Sequence, residues 1–194
     1  MLKDTATAWG SMTRATHWIL VLIVAVQIPL GFWMVDLIED NIASQGDDPW
    51  IMLTANVHHT IGFLVLILAF WRINWRLNNP TPELPASRSA YELYLARITQ
   101  GFLYFLMFFY PLTGWAVLST SPDELPILFF GWEIPRMVSA QSEGTTFASD
   151  LFSELHLACW KAGGALLLLH VSGATWHQFI RRDDLLMRMW RGHG

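Results

Sequence analysis

The sequence predicts an all-α integral membrane protein, a bundle of four transmembrane helices with both termini in the cytoplasm. Three observations predict it. Of 194 residues, 53% are hydrophobic and only 14% charged, against about 25% charged in an ordinary soluble domain. Four windows, 15–35, 49–71, 98–122 and 162–180, contain no Asp, Glu, Lys or Arg. Each is about 19 to 25 residues long, enough to cross about 30 Å of hydrocarbon at a rise of about 1.5 Å per residue. The third observation is the partition of charge. Lys3, Arg14, Arg72, Arg76, Arg88, Arg97, Arg181, Arg182, Arg188 and Arg191 flank one side of the four windows and make up ten of the 12 basic residues. The other side carries only Arg136 and Lys161, beside Asp36, Glu39, Asp40, Asp47, Asp48, Asp123, Glu124, Glu133, Glu143, Asp150 and Glu154. Basic flanks stay in the cytoplasm during insertion, whereas acidic residues count for little.

The elements follow in order within a single domain, 1–194, with helices expected at about 15–36, 54–76, 91–120 and 154–181. The first window is too long for the apolar core of a cleavable signal. It also contains Pro29 and Gly31 and runs into Asp36 without a small-residue cleavage site, so it is expected to remain. PTPELP, with Pro80, Pro82 and Pro85, cannot continue helix two and reads as a stiff extended connector. Helix three carries the aromatic cluster Tyr104, Phe105, Phe108, Phe109 and Tyr110, distributed over several faces as lipid contact or core, and a PLTGW step expected to kink it. LPILFFGWEIP, between helices three and four, is too short to span. Its Phe129, Phe130 and Trp132 suit the outer interface or a docking surface. The terminal DDLLMRMW suits a short amphipathic helix on the inner surface. The single cysteine, Cys159, excludes an internal disulfide framework and any cysteine-based zinc or iron–sulfur site. A formal net charge of −4 gives no reason to expect a nucleic-acid partner.

Six of the seven histidines, His17, His58, His59, His156, His170 and His177, fall within or at the ends of these windows. Ionisable groups in a bilayer are expensive and normally face the bundle interior, where they serve a relay, a pathway or a cofactor. On helix four the step from His156 to His170 returns to within about 40° of the same face, about 21 Å further along the axis. A neutral imidazole is a good axial ligand for haem iron. Two of them from facing helices make a six-coordinate iron suited to electron transfer. Cross-helix hydrogen bonding alone would explain one such histidine better than this set. A proton relay would usually recruit intramembrane carboxylates as well, and the windows hold none. Depth does not fix the partners outright. His17 and His58 differ by roughly 16 Å counted from Arg14 and Arg72, while helix four offers steps of about 21 Å (His156 to His170) or about 10 Å (His170 to His177). The shorter step would crowd two upright porphyrins, which favours His17 with His170 inside and His58 with His156 outside.

At these residues the chain resembles the prokaryotic cytochrome b561 family. Beyond it lies the wider group of di-haem b-type cytochrome subunits of formate dehydrogenases and nickel–iron hydrogenases. The matching pieces are TRATHWIL, HHTIGFLVL followed by RINWRLNNPTPELP, LARITQGFLYFLMFFYPLTGW, and HLACWKAGGALLLLHVSGATWHQFIRRDDLLMRM. Together they cover nearly the whole chain apart from the two outer loops. The resemblance implies a four-helix cytochrome holding two non-covalent b haems, with axial ligands at the positions of His17, His58, His156 and His170. It prefers His58 to His59 because the family's ligand stands four residues before a glycine, here Gly62, which would also make room for a porphyrin. His177 is implied as a propionate or quinone contact, or as an interfacial residue.

The resemblance further implies a multi-pass protein of the bacterial inner membrane, set in lipid and exchanging electrons with quinone. Some members serve a dehydrogenase or hydrogenase on the outer face. Others act as enzymes, oxidising superoxide and reducing ubiquinone. LPILFFGWEIP and the acidic outer segments here suit docking of a basic periplasmic donor such as a c-type cytochrome or a dehydrogenase electron-transfer subunit. The acidic outer segments would repel a small anion and attract a basic protein, which favours the first role and keeps superoxide oxidase as the alternative. A histidine-based metal or proton transporter is a more distant possibility. Gln100, Arg97 and Arg14 are polar candidates near an inner quinone. Lys161 is a candidate for neutralising a propionate. All four are more commonly plain interfacial residues.

Overall fold

The computed structural model describes the chain except residues 45, 47, 84–88, 123–125, 140–144 and 193–194. Pro85, Arg88, Asp47, Asp123, Glu124, Glu143 and the leucine that opens LPILFFGWEIP therefore lie outside the described residues. The order is α1 (Ser11–Ser44), α2 (Pro49–Leu77), α3 (Ala90–Thr120), a two-stranded hairpin of β1 (Leu128–Phe129) and β2 (Trp132–Glu133), α4 (Phe147–Trp176), a π-helical turn (His177–Arg181) and α5 (Leu185–Arg191). The four long helices are apolar enough to cross a membrane, and between 6 and 17% of each apolar window is buried within the protein. Much of the remaining surface, including Leu22, Val26, Phe70, Phe102 and Leu168, is exposed and suited to lipid. The helices overrun the uncharged windows because backbone hydrogen bonding continues into the headgroup region. Thus α1 passes through Asp36, Glu39 and Asp40 before ending at Ser44. Pro29 and Pro111 lie inside α1 and α3.

The residues fall into two compact units, to each of which all four long helices contribute a segment. The first comprises Met1–Ile19, Leu68–Phe108 and Cys159–Gly194. Here the N-terminal residues fold back on the start of α1. Buried Asp4 accepts the Gly10 N–H at 2.7 Å and the Thr13 hydroxyl at 2.7 Å, and Trp75 Nε1 donates to the same hydroxyl at 2.9 Å. The fold-back requires glycine at position 10, where a Cβ would collide with the Leu2 carbonyl oxygen. The C-terminus docks on the same region. Arg14 Nη1 donates to the Trp190 carbonyl at 2.7 Å and Trp18 Nε1 to that of Met189 at 3.1 Å, while Arg188 reaches the carbonyls of Thr7 and Glu83. The amphipathic C-terminal helix is thus α5, and it is clamped by backbone carbonyls. The described part of PTPELP is non-helical, with Pro82 fully buried.

The second unit comprises Leu20–Ile67 and Phe109–Ala158. Its apolar loop forms the hairpin, in register Leu128 to Glu133 and Phe129 to Trp132, turning at Phe130 and Gly131 with φ of 50° and 83°. Positive φ at both central residues is the geometry of a tight turn matched to strand twist. The hairpin base is fixed by Ile127, only 2% exposed, and by Phe129 against Phe63 at 5.9 Å. Arg136 Nη1 donates to the carbonyls of Leu118 and Ser119 at 2.7 and 2.9 Å, capping the end of α3. Asp48 Oδ1 accepts the Trp50 N–H at 2.8 Å and caps α2.

Candidate cofactor-binding sites

Each unit contains one pair of facing imidazoles. In the first, His17 of α1 and His170 of α4 bring their ring centroids to 6.2 Å with planes inclined at 66°. Trp18 meets His17 edge to face at 5.3 Å and Trp190 of α5 at 5.0 Å, so the docked C-terminus buttresses this pair through one intervening ring. Arg72 donates to the Thr13 carbonyl at 3.3 Å and the Thr16 hydroxyl at 3.2 Å, and its guanidinium lies 5.8 Å from the Tyr104 ring centroid.

In the second unit His58 of α2 and His156 of α4 stand 6.4 Å apart, with planes inclined at 74°. Glycines on the neighbouring helices admit these rings. A Cβ at Gly31 would lie 3.1 Å from His58 Cε1, and one at Gly114 would lie 3.0 Å from His156 Cε1. Tyr110 packs on His156 at 4.2 Å between centroids. Thr113 donates its hydroxyl proton to the Tyr110 carbonyl at 2.7 Å and stands 3.0 Å from His156 Nδ1. With its only proton spent on Tyr110, the hydroxyl accepts from Nδ1–H. That fixes the tautomer and leaves Nε2 as the lone-pair nitrogen. Gln27 Nε2 donates to the His58 carbonyl at 3.0 Å.

Of the remaining candidates, His59 follows His58 on α2, with centroids 6.1 Å apart and planes at 80°, a neighbour on the same helix and not a partner from a facing one. His177 opens the π-helical turn and is held by Asp183, Nδ1 to Oδ2 at 2.6 Å. Arg97, Gln100 and Lys161 are exposed, and Cys159 is buried. Gly62 does not contact an imidazole; its missing side chain leaves open space beside the Gln27 amide, whose Nε2 would be 3.9 Å from a Cβ there.

Both pairs fit a haem iron. An imidazole nitrogen sits about 2 Å from a first-row metal and about 1.1 Å from its own ring centroid, so two trans ligands place their centroids roughly 6.2 Å apart. Among the described residues no three His, Cys, Asp or Glu side chains converge on a metal-sized site. Two-imidazole sets suit a metal whose equatorial donors come from a macrocycle. Gly31, Gly114, Thr113 and Gln27 are supports that sequence reading did not assign. The glycine of PLTGW was the available signal, and its use is clearance for His156, with α3 continuing helical through Pro111.

A substitution tests that clearance. Gly114→Ala places a methyl against the imidazole, and overpacking of this kind costs about 1–3 kcal/mol. Haem retention at the second pair is expected to weaken by about fivefold or more, measured as haem per chain after detergent dilution. Gly173→Ala, with nothing within 4 Å of the new Cβ, is the matched control and retains wild-type haem.

A family model described as prokaryotic cytochrome b561 matches residues 8–192. Among similar proteins, cytochrome b561 homolog 2 of Escherichia coli (strain K12) is 30% identical over 189 residues, covering 96% of this chain and 93% of the relative. The probable superoxide oxidase CybB of Yersinia pestis is 24% identical over 173 residues, 89% of this chain and 90% of the relative. Cytochrome b561 homolog 1 of Escherichia coli (strain K12) is 24% identical over 176 residues, 89% and 91% of the two chains.

Proposed function

The chain belongs to the prokaryotic cytochrome b561 family, and from that premise we propose that it is a di-haem electron carrier linking a periplasmic redox partner to the quinone pool. Membership makes it a multi-pass membrane haem protein of electron transfer in the bacterial inner membrane. The proposal goes further in assigning two non-covalent b haems, one ligated by His17 and His170 and the other by His58 and His156. The observation that supports it is the meeting of four imidazoles as two pairs at 6.2 and 6.4 Å. Haem bound there supplies a one-electron iron couple whose potential the protein sets through ligand basicity and surroundings. Two imidazoles would hold each iron and leave it no position for oxygen, which suits electron transfer. Thr113 holds His156 in the tautomer with Nε2 free, and Gly31 and Gly114 clear space for the rings. The sole cysteine, Cys159, offers no Cys-x-x-Cys-His attachment.

With the basic flanks taken as cytoplasmic, the first pair lies on the quinone side and the second on the periplasmic side. The periplasmic surface then carries Asp36, Glu39, Asp40, Asp48, Glu133, Asp150 and Glu154 among the described residues. Arg136, one of two bases there, directs its guanidinium to the end of α3. Such a field attracts a basic protein, for which we favour a c-type cytochrome or a dehydrogenase electron-transfer subunit. The hairpin tip, with Phe130 66% and Trp132 76% exposed, offers that partner an apolar anchor. Superoxide oxidation is the second reading, favoured by the name of the Yersinia pestis relative.

The test is a haem count on the purified protein, combined with a dithionite-reduced spectrum. The expected result is a b-type α-band and about two haems per chain that extract into acidified acetone. A value near one, or pigment that resists extraction, sinks the proposal. Reduction of the haems by added quinol in proteoliposomes checks the quinone side.

A further inference from the structure

The two imidazoles of the second pair are supported unequally. His156 Nδ1 has the Thr113 hydroxyl. His58 Nδ1 is buried and has no hydrogen-bond partner among the described residues, and the same holds for Gln27 Oε1. Buried polar atoms are nearly always satisfied, so each such atom needs an explanation. These two are complementary, since an imidazole that ligates through Nε2 carries a donor at Nδ1, while an amide oxygen accepts.

The backbone brings them together. Gln27 and Gly31 are four residues apart and share one face of α1. Gly31 lies against the His58 ring, where its Cβ would be 3.4 Å from Nδ1, and Gln27 Nε2 donates to the His58 carbonyl at 3.0 Å. That donation fixes which end of the amide is nitrogen and which is oxygen. A Cβ built at Gly62 would meet the same amide, with Nε2 at 3.9 Å. One ordered water between two such buried, complementary atoms would satisfy both.

We propose that Gln27 is a positioning residue for His58: its Nε2 holds the His58 backbone carbonyl, and its Oε1, through one water, accepts the Nδ1 proton. The proposal rests on the reading of His58 as an iron ligand. Metal-ligating histidines almost always donate their second ring N–H, which orients the ring and raises its basicity. A more basic ligand favours ferric over ferrous iron and lowers the potential. Gln27 therefore tunes the iron of the second pair and leaves that of the first alone.

The experiment is potentiometric titration of both haems in Gln27→Met and Gln27→Glu, with ferric low-spin EPR and haem counts on the same samples. Loss of haem in His58→Ala identifies which signal belongs to the second pair. Methionine is near in size but accepts no comparable hydrogen bond. It is expected to keep two haems and shift the ferric–ferrous equilibrium of the second-pair haem several-fold toward ferrous, with a moved EPR signal. A tenfold shift would be 59 mV for a one-electron couple. Glutamate, a stronger acceptor, is expected to shift the same haem the opposite way, whereas a packing role would move both variants in one direction. Unchanged potential and EPR in Gln27→Met overturn the role of Gln27 alone. If that variant does not assemble, an unchanged or raised potential in Gln27→Glu overturns it. Retention of both haems in His58→Ala overturns the ligand reading itself.

Discussion

Alanine at any one of His17, His58, His156 or His170 is expected to lower the haem content from about two per chain to about one. The loss should follow the pairs. His17→Ala and His170→Ala should remove the same haem, and His58→Ala and His156→Ala the other, so the two groups of variants leave spectroscopically different remainders. On the proposed ligation, each substitution removes one of the two imidazoles that would hold the iron. It also opens a cavity beside a cofactor, and large-to-small changes at packed sites cost about 2–5 kcal/mol. Metal binding is coupled to folding in such a site, so yield should fall as well. The imidazoles that meet across helices stand at 6.2 and 6.4 Å, whereas His59, 6.1 Å from His58, shares its helix, and His177 is held by Asp183. His177→Ala should break the contact to Asp183 and leave both haems. Loss of haem in His177→Ala with retention in His156→Ala would show the pairing to be wrong.

Reduction of the haems by a basic c-type cytochrome is expected to slow by on the order of tenfold or more between low salt and a few tenths molar salt. On the proposed topology the driving term is the acidic surface facing the partner, and its reach shrinks as the Debye length falls to about 10 Å at 0.1 M. Superoxide, a small anion, should show the reverse. Screening the same field helps it approach, so its rate should rise with ionic strength or stay flat. Stopped-flow reduction with both donors across a salt series separates the two functions. Superoxide-driven reduction already near about 10⁸–10⁹ M⁻¹s⁻¹ at low salt would make this protein a superoxide-oxidising enzyme and displace the partner-protein reading. Variants of the hairpin tip refine the result, since Trp132→Ser should weaken cytochrome-driven reduction and leave the superoxide rate unchanged.

Four spans and an unusual set of membrane histidines were legible in the amino-acid sequence because hydropathy, charge partition and residue spacing are one-dimensional. Long uncharged windows must become helices in lipid wherever their neighbours lie. The resemblance to the cytochrome family likewise rested on ordered motifs, with His17 near the start of one helix and His156 and His170 on another. What only the tertiary structure decided is which faces meet. Counting depth from basic residues gives roughly 16 Å on one side and 21 Å on the other, which leaves the partners open. The centroid distances within each pair replace that count. Clearance by Gly31 and Gly114, the Thr113 contact to His156 and the Gln27 contact to the His58 carbonyl join residues from different helices, and no local pattern announces them. The same holds for Asp4, a carboxylate near the N-terminus whose burial depends on the chain folding back over Gly10, and for α5, whose dock is built from Arg14 and Trp18 far away in sequence. The hairpin at Leu128 to Glu133 reads in sequence only as an apolar surface segment, since two-residue strands are too short to leave an alternation. Composition and spacing set what must be buried in lipid and which groups need partners; the geometry of packing chose the partners.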